Sequence, residues 1–218
     1  MIFTSVSRLG DFLLTLPVVS WHYKKTGEKG HLVLSDNFPT YKKVETLLRL
    51  QECVGQISYV NVGTDAFNDW KFNPADFNIK GEYANFGLYP YIKIEDYYLP
   101  DLYAEYNKLG VDYDFVLNIG DTSSAIGDKD YTVWIEASPW RSERGKLRSI
   151  VPKDCIELKS EYINDAIFAK HAKAVHTTMG GFGILLDLCR VPCNVYAEPW
   201  LIKWSNVYYK MKHNYIAL

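Results

Sequence analysis

The stretch Ser7-Arg8-Leu9-Gly10-Asp11-Phe12-Leu13-Leu14-Thr15-Leu16-Pro17 sets a carboxylate at the mouth of an apolar run. A helix start offers unpaired N–H groups and a partial positive charge, so Asp11 suits a cap. A chemical role is equally open. Ligands of open α/β folds bind at the carboxyl edge of the sheet, and a carboxylate there can take a proton from a hydroxyl.

A second stretch, His176-Thr177-Thr178-Met179-Gly180-Gly181-Phe182-Gly183, joins a strand pattern to a helix pattern. Small residues at such a junction let backbone amides approach an anion, and the helix dipole favours phosphate. Thr177 and Thr178 add two hydroxyls. Neither the Walker spacing nor G-x-G-x-x-G is met. The other reading is a tight turn that needs glycine at positive φ. Arg141, Arg144, Lys146 and Arg148 put four cations within eight residues. Such a loop can grip a diphosphate, Arg in bidentate fashion, or can simply be solvated. His176 could be a ligand or a base, although a histidine in a short apolar strand is more often a core residue. Ser123 and Ser124 lack a G-x-S-x-G context, so no hydrolase elbow is expected.

The elements that would position these residues alternate. Residues 2–7 read as a buried first strand, 12–25 as a helix stopped at Gly27, and 31–35 as a second strand. Pro17 should mark a first turn or a kink. Residues 41–50 read as a helix, with Val44, Leu47 and Leu48 on one face, and 57–62 as a third strand. That order argues for a parallel sheet. Residues 65–100 are rich in Asn, Asp, Gly, Pro and Tyr, and read as a long binding-type loop with one short strand at 91–94. A helix at 102–109 and a strand at 115–119 follow, and 120–130 is the best linker. The second unit reads as strands at 131–135, 155–158, 174–177 and 191–196, with helices at 162–172, 178–189 and 200–212. The expected architecture is α/β, with units at 1–120 and 131–218, the second reduced.

The 218 residues fit one domain or two small ones. Their 48% hydrophobic and 23% charged content is that of an ordinary globular protein. Aromatics reach 15%, which suits stacking surfaces or polar ligand sites as well as an irregular core. A net charge of −2 gives no basic excess for nucleic acid, so such contact would need a local patch. Cys189 and Cys193 have no second close pair to complete a zinc site, and no disulfide framework is implied. With no leader pattern and no apolar run of about 18 residues, the expectation is a cytoplasmic protein without a membrane span.

Two blocks together resemble the heptosyltransferase family of lipopolysaccharide synthesis. Val6 to Pro17 is similar to that family's opening strand, Gly-Asp pair and T-x-P. Ala172 to Pro192 is similar to its strand, D-[ST]-G-x-x-H loop, apolar helix and terminal V-P. The string V-W-I-E-A-S-P-W-R resembles the start of the family's second domain. In the C-terminal loop Gly181 keeps the pattern, while Met179, Gly180 and Ile184 stand where the family has an acid, a hydroxyl and a histidine.

The resemblance implies a GT-B-like fold of two facing Rossmann-like units. It implies a metal-independent, inverting transferase that takes a sugar from a nucleotide-sugar, needs no cofactor and uses Asp11 as general base. Ser7, Gly10, Arg141, Arg144, Thr177, Thr178, Met179, Gly180 and Gly181 would then form the substrate and nucleotide site. The acceptor would be a glycan or a modified nucleic-acid base. The competing expectation is a non-catalytic nucleotide-binding, sugar-binding or structural protein on the same fold.

Overall fold

The computed structural model describes residues 1–4, 9–13, 15–37, 39–62, 73–85, 131–135, 151–158, 162–200, 202–203 and 213–217. The chain divides into two compact units, Met1–Tyr113 and Asp114–Leu218. Each has its own parallel sheet.

In the first unit β1 (Ile2–Thr4), β2 (Gly30–Ser35), β3 (Val54–Val60) and β4 (Tyr83–Asn85) lie in the order β3-β2-β1-β4. Every pair is parallel, with Phe3 opposite Leu32 on one side and Ala84 on the other. Strands flanked on both sides are apolar throughout, and β1 is buried at all three positions. The helices are α1 (Leu9–Leu13), α2 (Leu16–Thr26) and α3 (Pro39–Arg49). The single helix expected over 12–25 is therefore two. Pro17 lies in the first turn of α2, where its missing N–H costs nothing, and Gly27 ends α2 at φ 77°. Gly30 lets α2 come close: a Cβ there would lie 2.7 Å from Val19 Cγ1 and 3.1 Å from the Phe3 ring. A 3-10 turn at Pro74–Phe77 precedes β4. Neither was expected in a segment read as irregular.

In the second unit β5 (Thr132–Ile135), β6 (Ile156–Leu158), β7 (Ala174–Thr178), β8 (Asn194–Ala197) and β9 (Asn214–Ala217) lie in the order β6-β5-β7-β8-β9, again all parallel. Helices α4 (Tyr162–His171) and α5 (Gly181–Leu188) meet through the rings of Tyr162 and Phe182, 5.9 Å apart. Residues 182–189 are all buried, as an apolar helix between layers requires. The α/β fold class expected from the sequence holds in both units. The expected strands at 91–94 and 115–119, the helix at 102–109, the linker at 120–130 and most of the helix at 200–212 lie outside the described residues.

Candidate functional site

Among the described strands the order reverses once in each sheet, between β1 and β4 in the first and between β5 and β7 in the second. In open α/β sheets the crossovers leave such a reversal in opposite directions, and ligands bind in the crevice this creates beyond the carboxyl ends of the strands. Both stretches singled out in the sequence follow a strand that borders such a reversal. Gly10 and Asp11 follow β1, and Thr178 to Gly181 close β7 and open α5.

At the first edge, the Thr4 hydroxyl donates to the Ala84 carbonyl at 3.2 Å, tying the end of β1 to β4. The chain then enters α1. Leu9, Gly10, Phe12 and Leu13 are buried, and the Phe12 ring meets Tyr41 edge-on at 5.4 Å. Asp11 is the third residue of α1, inside the helix rather than at its cap. Thr15 separates α1 from α2. Its N–H and its hydroxyl both donate to the Phe12 carbonyl, at 2.9 and 2.7 Å. No reading of the sequence assigned this to Thr15; the available signal was a threonine two residues before a proline at a helix start.

At the second edge, Thr177 is fully buried and its hydroxyl donates to the Ile135 carbonyl at 2.9 Å, holding β7 to β5. Thr178 and Met179 are buried, whereas Gly180 and Gly181 are half-buried. Gly180 precedes α5 in an extended conformation, φ 168°, and Gly181 begins the helix. The tight-turn reading that needed a positive φ here therefore does not hold; among the described glycines, positive φ occurs at Gly27 and Gly81. Gly180 holds the N-cap position of α5 and has no side chain to cap it; the first helical bond runs from the Ile184 N–H to the Gly180 carbonyl at 3.2 Å. The N–H groups before it are those a helix leaves without intrahelical partners. Ile184 itself is buried in the helix core.

His176 takes the core reading. It is buried, its Nδ1 lies 2.9 Å from the Tyr196 hydroxyl, and the two rings stack at 5.8 Å. Burial holds its imidazole below the ordinary value, which keeps it neutral near pH 7. All four cysteines are buried and none forms a disulfide, and burial pushes the Cys189 thiol up to about 12. A thiol so placed is inert. Among the described residues no group of three or more His, Cys, Asp or Glu side chains could hold a metal ion, and no helix is long and apolar enough to cross a membrane. Ser7, Arg141 and Arg144 lie outside the described residues, as do Lys146, Arg148, Ser123 and Ser124.

No protein-family profile matches the sequence, and no curated protein matches it. Solved structures do match in three dimensions. A glycosyl transferase family 9 protein from Veillonella parvula superposes with a TM-score of 0.60 at 11% identity, over 100% of this chain and 85% of that one. The fold is similar to that of family 9 glycosyltransferases. ADP-heptose LPS heptosyltransferase II of E. coli gives a TM-score of 0.58 at 10% identity, over 100% of this chain and 89% of that one. TibC, a dodecameric iron-containing heptosyltransferase from enterotoxigenic E. coli, was solved in complex with ADP-D-beta-D-heptose. It gives a TM-score of 0.59 at 12% identity, and this chain, 99% covered, spans 61% of its length.

Proposed function

We propose that this protein is an inverting glycosyltransferase that uses a nucleotide-sugar donor. The observation that carries the reading is topological: in each unit the stretch with the right chemistry follows a strand at the reversal of its own sheet. The Asp11 carboxylate takes the proton of an acceptor hydroxyl. The acceptor oxygen attacks the anomeric carbon, the bond from that carbon to the diphosphate oxygen breaks, and its electron pair leaves on the nucleoside diphosphate. Attack opposite the leaving group inverts the configuration. Ser7 and Gly10 stand on the acceptor side with Asp11.

The donor side is the second unit. The first N–H groups of α5, beginning at Gly181, with Gly180, Met179 and the Thr178 hydroxyl, receive the diphosphate, and Arg141 and Arg144 neutralise it. Thr177, whose hydroxyl donates to the Ile135 carbonyl at 2.9 Å and to the Thr178 carbonyl at 3.3 Å, holds the end of β7 to β5 beside the turn. ADP-heptose is the first donor to test, because heptosyltransferases with this fold bear that name. The acceptor is a glycan or a modified base.

Amides and cations make a metal unnecessary for leaving-group departure. The sequence does carry Asp-x-Asp triplets, Asp112-Tyr113-Asp114 and Asp128-Lys129-Asp130, both outside the described residues. EDTA discriminates: turnover unchanged in EDTA supports the amide mechanism, and loss restored by Mn²⁺ or Mg²⁺ transfers the role to a metal.

One observation favours a second reading, a nucleotide-binding protein without turnover. Met179, Gly180 and the buried Ile184 stand where the resembled loop carries an acid, a hydroxyl and a histidine. Thermal melts with ADP-, UDP-, GDP- and CMP-sugars test both, since a ligand of the native state raises Tm. A shift with one donor class, followed by release of its nucleotide, supports the transferase. A shift with no release on any acceptor supports the binder.

A further inference from the structure

We propose that Thr15 is a positioning residue for Asp11, acting through the backbone of α1; the inference rests on the role proposed for Asp11. Thr15 stands immediately before α2, in the N-cap position. A threonine there ordinarily turns its hydroxyl forward onto the second or third N–H of its own helix. Thr15 does not: its side chain makes no cap bond, its backbone is helical at φ −83° and ψ −18°, and its hydroxyl turns back to the Phe12 carbonyl at 2.7 Å.

The local sequence explains the reversal. The second residue of α2 is Pro17, which has no N–H to offer, and the Val18 and Val19 N–H groups already donate to the Thr15 carbonyl at 3.0 and 3.3 Å. The demand for a donor lies behind Thr15 instead. The Phe12 carbonyl, near the end of α1, receives both the Thr15 N–H and the Thr15 hydroxyl.

The arrangement is rigid because it is dry. Thr15, Phe12, Leu13 and Leu16 are fully buried, and the Phe12 ring is held edge-on to Tyr41. A hydroxyl–carbonyl bond without water has no substitute partner when the hydroxyl is removed, so the Phe12 carbonyl then keeps a single donor. The residue bearing that carbonyl follows Asp11 directly. Thr15 thus fixes where the α1 backbone stops and turns, and with it the point from which Asp11 acts. A general base depends steeply on such placement, because a shift of about 1 Å can cost on the order of 100-fold in rate.

The test compares wild type, Thr15→Val and Thr15→Ser for nucleotide release from ADP-heptose, UDP-glucose and GDP-mannose, with a melt for each. Thr15→Val, near in shape and without the hydroxyl, is expected to lose roughly 10- to 100-fold in kcat with donor KM within about twofold. Thr15→Ser should return most of that rate. Gly27→Ala, which strains the left-handed end of α2, is the stability control: its Tm should fall while kcat holds. Thr15→Ala takes the place of Thr15→Val if the latter does not fold. Wild-type kcat in the hydroxyl-free variant, failure of Ser to rescue, or a matching kcat loss in Gly27→Ala overturns the positioning role and leaves the transferase reading standing. Absence of turnover in the wild type overturns the transferase reading itself, and the positioning role with it.

Discussion

Replacing Asp11 by Asn keeps the side chain's size and removes the charge that accepts a proton. If Asp11 is the general base, Asp11→Asn lowers kcat by about 100-fold or more and leaves the donor-induced rise in Tm intact. A variant that loses donor binding and turnover together assigns Asp11 to the donor site instead. Asp11 could be singled out in the sequence because a Gly-Asp pair before an apolar run is chemically conspicuous. Its seat as the third residue of α1 could not, since the apolar pattern read as a helix began only at Phe12 and the short turn of helix from Leu9 has no periodicity of its own. His176 shows the converse. Its apolar strand context already favoured the core, and the stacked Tyr196 supplies the partner that a buried imidazole needs.

Elements with a local cause were legible. β2 centres on the buried apolar run Leu32-Val33-Leu34, β3 and β7 carry Val, Ile or Thr at several positions, Pro17 opens α2, and Gly27 closes it. β4 was not legible. Tyr83-Ala84-Asn85 has no periodicity of its own, and it is a strand because β1 is beside it to receive its ladder. β9 is a similar case: Asn214–Ala217 lies at the sheet edge, is only partly buried, and forms on β8.

The end of α5 holds a strained residue. The Arg190 N–H donates to the Asp187 carbonyl at 3.0 Å and the Val191 N–H to the Leu186 carbonyl at 2.8 Å, which leaves Arg190 at φ 57°. An L-residue with a Cβ is strained there, whereas glycine is not. Arg190→Gly is expected to stabilise the protein by about 0.5–1 kcal/mol, a rise in Tm of roughly 1–4 °C. A lower Tm in a melt would mean that contacts of the arginine side chain outweigh the backbone strain.

At the scale of the whole molecule, three histidines couple stability to pH. Burial lowers the affinity of His22, His31 and His176 for a proton below the ordinary value of 6.5. The Met1 amine adds to this at His22 and His31. Glu28 and Glu82 oppose it at His22, and Lys25 reinforces it there. The unfolded chain therefore takes up protons first as pH falls. This part of the stability is fully present above about pH 6.5 and is lost as pH falls from there through the lower folded-state values. Urea midpoints between pH 8 and pH 5 should show the decline begin near pH 6.5. Replacing His176 by a neutral residue should lessen it, and an unchanged slope would remove His176 from the account.

Sequence and fold also meet at this scale. The α/β class followed from the alternation of short apolar strands with helices, and the strand order that brings each chemical stretch to a reversal came from pairing across the chain. The central claim is that these stretches serve sugar transfer. It is tested most directly by incubating the wild-type protein with ADP-heptose, UDP-glucose, GDP-mannose and a CMP-sugar in turn, with and without glycan acceptors, and measuring released nucleotide. Release from one donor class, faster with acceptor and abolished in Asp11→Asn, is the expected result. A wild type that neither binds nor turns over any of the four contradicts it.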